Sequence, residues 1–324
     1  MKRIKIGERW IGEGESTYII AEIGSNWDGQ KSRAKKLIDL AKDCGADAVK
    51  FQYFIVDKII SREGFEKLKR DFQANWEASV YKTYKAAEFP REWHPELSLY
   101  AIAKGLHYLA SPYDKEAVDI LDRSNTPAFK IGSGDITWLK MLKYIASKQK
   151  PIVLATGASN LNEIDDAIKM IRLEGNNEIV LLQCVTNYPA HFASANIRAM
   201  KEMGDIFDVL VGYSDHTPEN IVPLGAVALG ACVIEKHLTD DKTRIGPDHP
   251  FALNGREFKE MVNGIRTLEK ALGSPAKDLY GEEKETVVLQ RRCLRARKFI
   301  ARGTKLKVLA IAFILRASLE CFSQ

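Results

Sequence analysis

The chain has 324 residues, a formal charge of +5 and 45% hydrophobic side chains, enough for one large domain and a small appendage. It has no apolar run long enough to span a bilayer, and its opening stretch, MKRIKIGERWIGEGES, lacks the apolar core of a signal peptide. The charge excess is local: from Arg291 onward there are nine Lys and Arg against one acid, whereas residues 1–290 hold 39 basic and 42 acidic side chains, so a solvated basic tail is expected and no nucleic-acid partner.

Strand-like apolar runs alternate with amphipathic stretches almost throughout. The expected strands, in order, are TYIIAEIG, ADAVKFQ, HYLAS, AFKIG, PIVLAT, EIVLLQC, FDVLVG and ACVIEK. Helices are expected between them, among them SRAKKLIDLAKDCG, KEAVDILDRS, WLKMLKYIASK, NEIDDAIKMIRLEG and PENIVPLGAVALG, with Gly45, Gly105 and Gly175 as C-caps. Eight such units in about 270 residues predict an α/β fold of the (β/α)8 TIM-barrel type, filling residues 1–280, with 281–324 as a linker and small appended segment. Ser61 to Gly105 is an oversized insertion after the second strand, and its aromatics Trp76, Tyr81, Tyr84 and Trp93 read as packing. The cysteines are scattered without a C-x-x-C pair, as expected of buried thiols in a reducing cytoplasm.

Barrel enzymes place their chemistry at the carboxyl ends of the strands. Here those ends carry Glu22, Lys50 with Gln52, Ser111, Lys130, Thr156, Asn187 with Tyr188, Ser214 to His216, and Glu235 with His237. Polar or ionisable residues thus close every strand, which a passive scaffold would not need. His216 (VGYSDHT) and His237 (VIEKHLTD) occupy matching places in consecutive units, each with a carboxylate close by, Asp215 and Glu235. A strand-end histidine can be a purely structural residue, but two neutral imidazoles converging on one rim make a divalent-metal site with open positions for water or substrate. The mixed nitrogen and oxygen set points to Mn²⁺, Mg²⁺, Fe²⁺ or Co²⁺ without choosing among them.

Lysines on apolar strands are costly unless paired with anions. Lys50 and Lys130 therefore read either as a Schiff-base lysine and its partner or as a clamp for phosphate and carboxylate. Gly132-Ser133-Gly134 directly after Lys130 favours the clamp, because backbone amides can approach an anion there. Glu22 and Asp248 are candidates to orient water or move a proton. Their plainer alternatives are an ion pair from Glu22 to Lys50 and a loop-capping role for Asp248.

The segments AEIGSNWDG, GADAVKFQ, FKIGSGD, ATGAS, QCVTNYPA, GYSDHT, IEKHLTDD and GPDHPFAL occur in the order found in the sialic acid synthases, and the chain resembles that family over roughly residues 15–295. The resemblance implies a metal-dependent transferase that condenses phosphoenolpyruvate with the open-chain aldehyde of an N-acylated amino sugar and water, releasing phosphate. It implies metal ligation by His216 and His237. It implies phosphoenolpyruvate contacts from Lys50, Lys130, Ser133, Asn187 and Ser214, and places Glu22, Tyr188 and Asp248 near the reacting sugar and water. A synthase making a 3-deoxy-ulosonic acid is a related alternative, against which the SDHT and EKH segments argue.

Two departures stand out. Asn26-Trp27-Asp28 replaces the Asn-His pair common after the first strand of the family, so a hydrogen-bonding histidine is missing. QRRCLRARKFIARGTKLK resembles the start of the family's small antifreeze-like (SAF) domain, but the chain then runs through VLAIAFILRASLECFSQ and stops, as after truncation or a shifted reading frame. In the family that domain completes a homodimer and supplies an arginine to the partner's sugar site. Arg316 is followed by Ala317, so its equivalence is in doubt, and a ligand-binding barrel impaired in turnover is the non-enzyme alternative.

Overall fold

The computed structural model describes residues 2–67, 73, 76, 78–305 and 311–315. Arg316 and the first part of the apolar run at 308–315 lie outside them. Two compact units divide between Leu272 and Gly273.

The first unit is an eight-stranded parallel barrel wrapped by helices. An antiparallel hairpin, β1 (Arg3–Ile6) and β2 (Arg9–Gly12), precedes it. The barrel strands are β3 (Tyr18–Glu22), β4 (Ala48–Tyr53), β5 (His107–Pro112), β6 (Phe129–Ile131), β7 (Ile152–Ala155), β8 (Ile179–Cys184), β9 (Leu210–Asp215) and β10 (Val233–Thr239). All eight expected strands form. The ladder runs β5-β4-β3-β10-β9-β8-β7-β6, every pairing within it parallel. Its two ends lie side by side, and the Thr126 hydroxyl bridges them by donating to Ala128 O at 3.0 Å and Tyr108 O at 3.4 Å.

Strands buried on both faces explain the continuous apolar runs. Alternate residues point inward, where Tyr18, Ile20, Ala48, Leu109, Val153, Val180, Leu182 and Val233 fill the lower barrel. The other set, including Ile19, Ala21, Val49, Phe51, Ile152, Leu154 and Ile234, packs against the helices. The hairpin closes the amino end, because Ile4, Ile6 and Ile11 join the inner cluster. Burying a side chain such as Ile6 or Ile11 contributes roughly 1.5–3 kcal/mol. The hairpin was not among the expected elements.

Helices begin and end on local signals. Asp114 caps the helix Lys115–Arg123 by accepting from Ala117 N at 2.9 Å. Asn160 and Glu163 form a capping box on Leu161–Leu173. Gly45, Gly105 and Gly175 end their helices in the left-handed conformation expected of them. In the insertion, Trp93 and Phe89 pack edge-on against Trp27, and Tyr84 meets Trp76 and Phe54. Trp76, Tyr84 and Trp93 are thus packing, as read, whereas Tyr81 stands at the surface with its hydroxyl donating to Asp57.

In the second unit, a helix (Lys284–Gln290) leads to a strand, Arg292–Ala296, that pairs antiparallel with Ile311–Leu315. Among the described residues no helix is long and apolar enough to cross a membrane.

Candidate active site

Inward alternation delivers the polar side chains to one cleft at the carboxyl end of the barrel. The cleft has a volume of about 130 Å³, and Lys50, Gln52, Ser111, Lys130, Ser133, Tyr188, Ser214, Glu235, His216 and His237 all line it. Its floor is a network of buried charges. Glu235 Oε1 lies 3.0 Å from Lys50 Nζ and 3.4 Å from Lys130 Nζ, and it accepts from Ser214 Oγ at 3.0 Å. Glu22 Oε2 lies 3.0 Å from Lys50 Nζ, while Glu22 Oε1 accepts from Gln52 at 2.7 Å. The pairing that the sequence left as the plainer reading of Glu22 is thus present.

Burial and charge set the protonation of this floor. Burial pushes the Glu22 carboxyl up to about 7, the Lys50 ammonium opposing it. Burial would also raise Glu235, but Lys130 and Lys50 outweigh it and bring that carboxyl down to about 2. Burial depresses Lys130; at Lys50 the same burial is outweighed by Glu22 and Glu235, which hold the ammonium above its ordinary value. Glu22 and Glu235 thus face two lysines, and with the Glu22 carboxyl raised to about 7 and only partly ionised near neutral pH, the floor is short of negative charge.

Beside Lys130, the Ser133 hydroxyl accepts from Gly157 N at 3.0 Å and lies 3.0 Å from Cys184 Sγ. A Cβ on Gly157 would meet Cys184 Sγ at 2.7 Å and Ser133 Oγ at 2.9 Å, so only glycine lets this amide approach. Ser111 Oγ is buried with no hydrogen-bond partner, as is Glu235 Oε2. Orphaned polar atoms on a cleft wall have the character of binding groups awaiting a ligand.

On the opposite wall the two histidine rings stand 5.5 Å apart, with Tyr188 4.2 Å from His216 and Phe251 4.8 Å from His237, centroid to centroid. Burial lowers His216 to about 4 and His237 well below its ordinary value, so both are neutral at physiological pH. His216 Nδ1 donates to Val185 O at 2.7 Å, which leaves the Nε2 lone pair available. His237 Nδ1 is buried without a hydrogen-bond partner, 3.9 Å from Asp248 Oδ2. Neutral imidazoles with an uncommitted lone pair and an orphaned nitrogen fit a divalent metal. Among the described residues no group of three or more His, Cys, Asp or Glu could hold one alone. Remaining positions would fall to water or substrate oxygens, the pattern of an open site.

Asp248 does cap a loop, since Oδ2 accepts from Ser25 N and Ser25 Oγ, each at 2.9 Å. It stands 3.9 Å from His237 Nδ1 but does not itself line the cleft. Burial raises its carboxyl above the usual range. Trp27 is buried and donates through Nε1 to Gly24 O at 2.9 Å.

Three residues fall elsewhere than expected. Thr156 is turned away from the cleft: its hydroxyl donates to Leu182 O at 3.0 Å and borders a separate hollow with Met203. Strand β7 places Val153 inward and Thr156 one step out of phase. Asn187 does not line the cleft, though Thr186 and Tyr188 on either side of it do, and its carboxamide accepts from Tyr188 N at 3.1 Å. Asp215, read as the carboxylate companion of His216, faces the helices and pairs with Lys236. Tyr113 and Cys184, on the cleft wall, were not singled out. Tyr113 was legible, standing two residues beyond inward Ser111.

The NeuB family model matches residues 37–277. The N,N'-diacetyllegionaminic acid synthase of Campylobacter jejuni is 42% identical over 295 residues, 89% of this chain and 87% of that protein. The N-acetylneuraminate-9-phosphate synthase of Homo sapiens is 36% identical over 272 residues, covering 84% and 75%. The crystal structure of an N-acetylneuraminic acid synthetase from Leptospira borgpetersenii, in complex with citrate, superposes with a TM-score of 0.78 at 30% identity, covering 88% of this chain and 95% of that one. With a family match over most of its length, and relatives at this identity aligned along nearly all of the barrel, the chain belongs to the NeuB family.

Proposed function

We propose that this protein is a nonulosonic acid synthase that joins phosphoenolpyruvate to the open-chain aldehyde of an N-acylated amino sugar, with addition of water and release of phosphate. The observation that carries the proposal is the division of one cleft into an anion-holding side and a paired-imidazole side. Lys50, Lys130 and the Ser133–Gly157 corner suit the phosphate and carboxylate of the small substrate. The names of the similar synthases, all acting in acylated amino-sugar acid synthesis, agree with that substrate class.

The chain's own groups then have distinct tasks. The lysines and Ser133 hold the enol phosphate with its C3 toward the imidazole wall. A divalent cation held by His216 and His237 would supply Lewis-acid polarisation of the aldehyde carbonyl. As C3 bonds to the aldehyde carbon, C2 becomes cationic, and Glu22 and Glu235 beneath it stabilise that charge. Water adds to C2, and Glu22, with its carboxyl near neutrality, can take up the proton released. The tetrahedral carbon then breaks its bond to the phosphate oxygen as its hydroxyl becomes the ketone; of the two protons lost from the added water, one goes to the alkoxide left by the aldehyde and the other to the phosphate departing into the lysine-lined side.

Phosphate release is the test, with phosphoenolpyruvate, Mn²⁺ and a panel comprising N-acetylmannosamine, its 6-phosphate and a 2,4-diacetamido hexose. Release with at least one sugar, dependent on that sugar, is expected. Folded protein that releases phosphate with none of them would be a ligand-binding barrel instead.

A further inference from the structure

Behind the two imidazoles, on the outer face of the barrel, lies a buried ion pair that the proposed chemistry does not use. Asp215 and Lys236 are register partners on β9 and β10, and each immediately precedes a histidine, His216 and His237. Both are 1% exposed, and Lys236 Nζ lies 2.5 Å from Asp215 Oδ2. The same ammonium donates to Thr217 O. Asp215 Oδ1 in turn accepts from Thr217 N at 3.0 Å and from its hydroxyl at 2.9 Å. One side chain, anchored next to His237, therefore grips the residues on both sides of His216.

Stability is a poor explanation for such a pair. Taking both charges out of water costs about as much as their attraction returns, and packed apolar side chains of the same volume often serve as well. What an apolar pair could not do is hold the Thr217 carbonyl. The remaining restraints on His216 come from the adjoining loop, Val185 O accepting from its ring and His216 O accepting from Ala190 N at 2.9 Å. Strand pairing and the Ser214–Glu235 hydrogen bond tie β9 to β10 as far as Asp215; the Lys236 clamp carries the tie past His216 to Thr217.

We propose that Lys236 and Asp215 are positioning residues that fix the spacing of His216 and His237 and thereby set the affinity of this imidazole pair for a divalent cation. The inference rests on the metal role proposed above. Residues that orient metal ligands from behind typically change affinity by 10- to 100-fold when replaced.

The test is Co²⁺ binding to the full chain, followed by calorimetry and by the visible absorption of the bound ion. Lys236→Met alone would strand a buried carboxylate, so the informative variants are the double replacements Asp215→Leu with Lys236→Met and Asp215→Asn with Lys236→Gln. Both are expected to keep the wild-type far- and near-ultraviolet dichroism while weakening Co²⁺ binding about 10- to 100-fold and altering its absorption bands. Wild-type affinity and bands in either folded double variant would overturn the positioning role. His216→Ala with His237→Ala is the control: if it binds Co²⁺ as the wild type does, the metal reading fails, and the positioning role with it.

Discussion

Glu235 Oε1 lies within 3.4 Å of two lysine ammonium groups, Lys50 at 3.0 Å and Lys130 at 3.4 Å, in a floor from which water is largely excluded. This one carboxylate oxygen is the counter-charge common to both lysines, Glu22 reaching Lys50 alone, and an incoming anion must supplement it. Glu235→Gln keeps the shape and removes the charge. Breaking a buried pair in this way costs on the order of 3–5 kcal/mol, so the melting temperature should fall. An anionic ligand restores the missing charge, and phosphoenolpyruvate should raise the melting temperature of the variant more than that of the wild type. An unchanged melting temperature in Glu235→Gln would mean that the lysines do not depend on this carboxylate.

The Ser133–Gly157 corner makes a sharper prediction about the small substrate. An added methyl at Gly157 has nowhere to go, with Cys184, Thr186 and Ser133 all within 2.9 Å of it. Gly157→Ala should push the Ser133 hydroxyl off its place and raise KM for phosphoenolpyruvate about tenfold, the equivalent of about 1.4 kcal/mol. The KM for the sugar should move far less. Initial rates with each substrate varied in turn separate the two, and an equal rise in both constants would count against an anion-specific corner.

For the imidazole wall the expected signature is lost activity without lost fold. His237→Ala and His216→Ala should each lower kcat/KM at least a hundredfold, about 2.7 kcal/mol of transition-state stabilisation, while leaving near-ultraviolet dichroism intact. A chelator should do the same to the wild type, and added Mn²⁺ should reverse it. Activity that survives both chelation and the His237 replacement would remove the metal from the mechanism.

The barrel was legible because its strands are buried on both faces and so appear as uninterrupted apolar runs, while the polar residue ending each run marks the rim. Phase within a strand was harder to read. Thr156 and Asp215 are each one residue out of step with the inward set, so a polar residue near a strand end was counted as a site residue when it faces the helices. Side-chain alternation from inward Val153 and Ser214 corrects both. The hairpin Arg3–Gly12 was missed although RIKI alternates at period two, because its isoleucines are separated by charges that lie outside a barrel floor no local pattern announces. Tertiary pairings such as Lys236 with Thr217 have no sequence signature beyond adjacency to the two histidines.

His94 provides a prediction about stability away from the cleft. It lies within the insertion and is buried against β4, with Nδ1 2.7 Å from the Tyr53 hydroxyl and Nε2 without a partner. Burial lowers its pKa from 6.5 to about 4. Between those values the unfolded chain binds a proton that the folded chain refuses, so the contribution of His94 is complete above pH 6.5 and is lost as pH falls toward 4. His94→Gln keeps an amide able to meet Tyr53 and removes the titration. The difference in unfolding free energy between wild type and variant, measured by denaturant titration at half-unit steps from pH 7 to pH 4, should shift steadily against the wild type as pH falls. A difference that stays flat across that window would show that the folded protein protonates His94 as readily as the unfolded chain does.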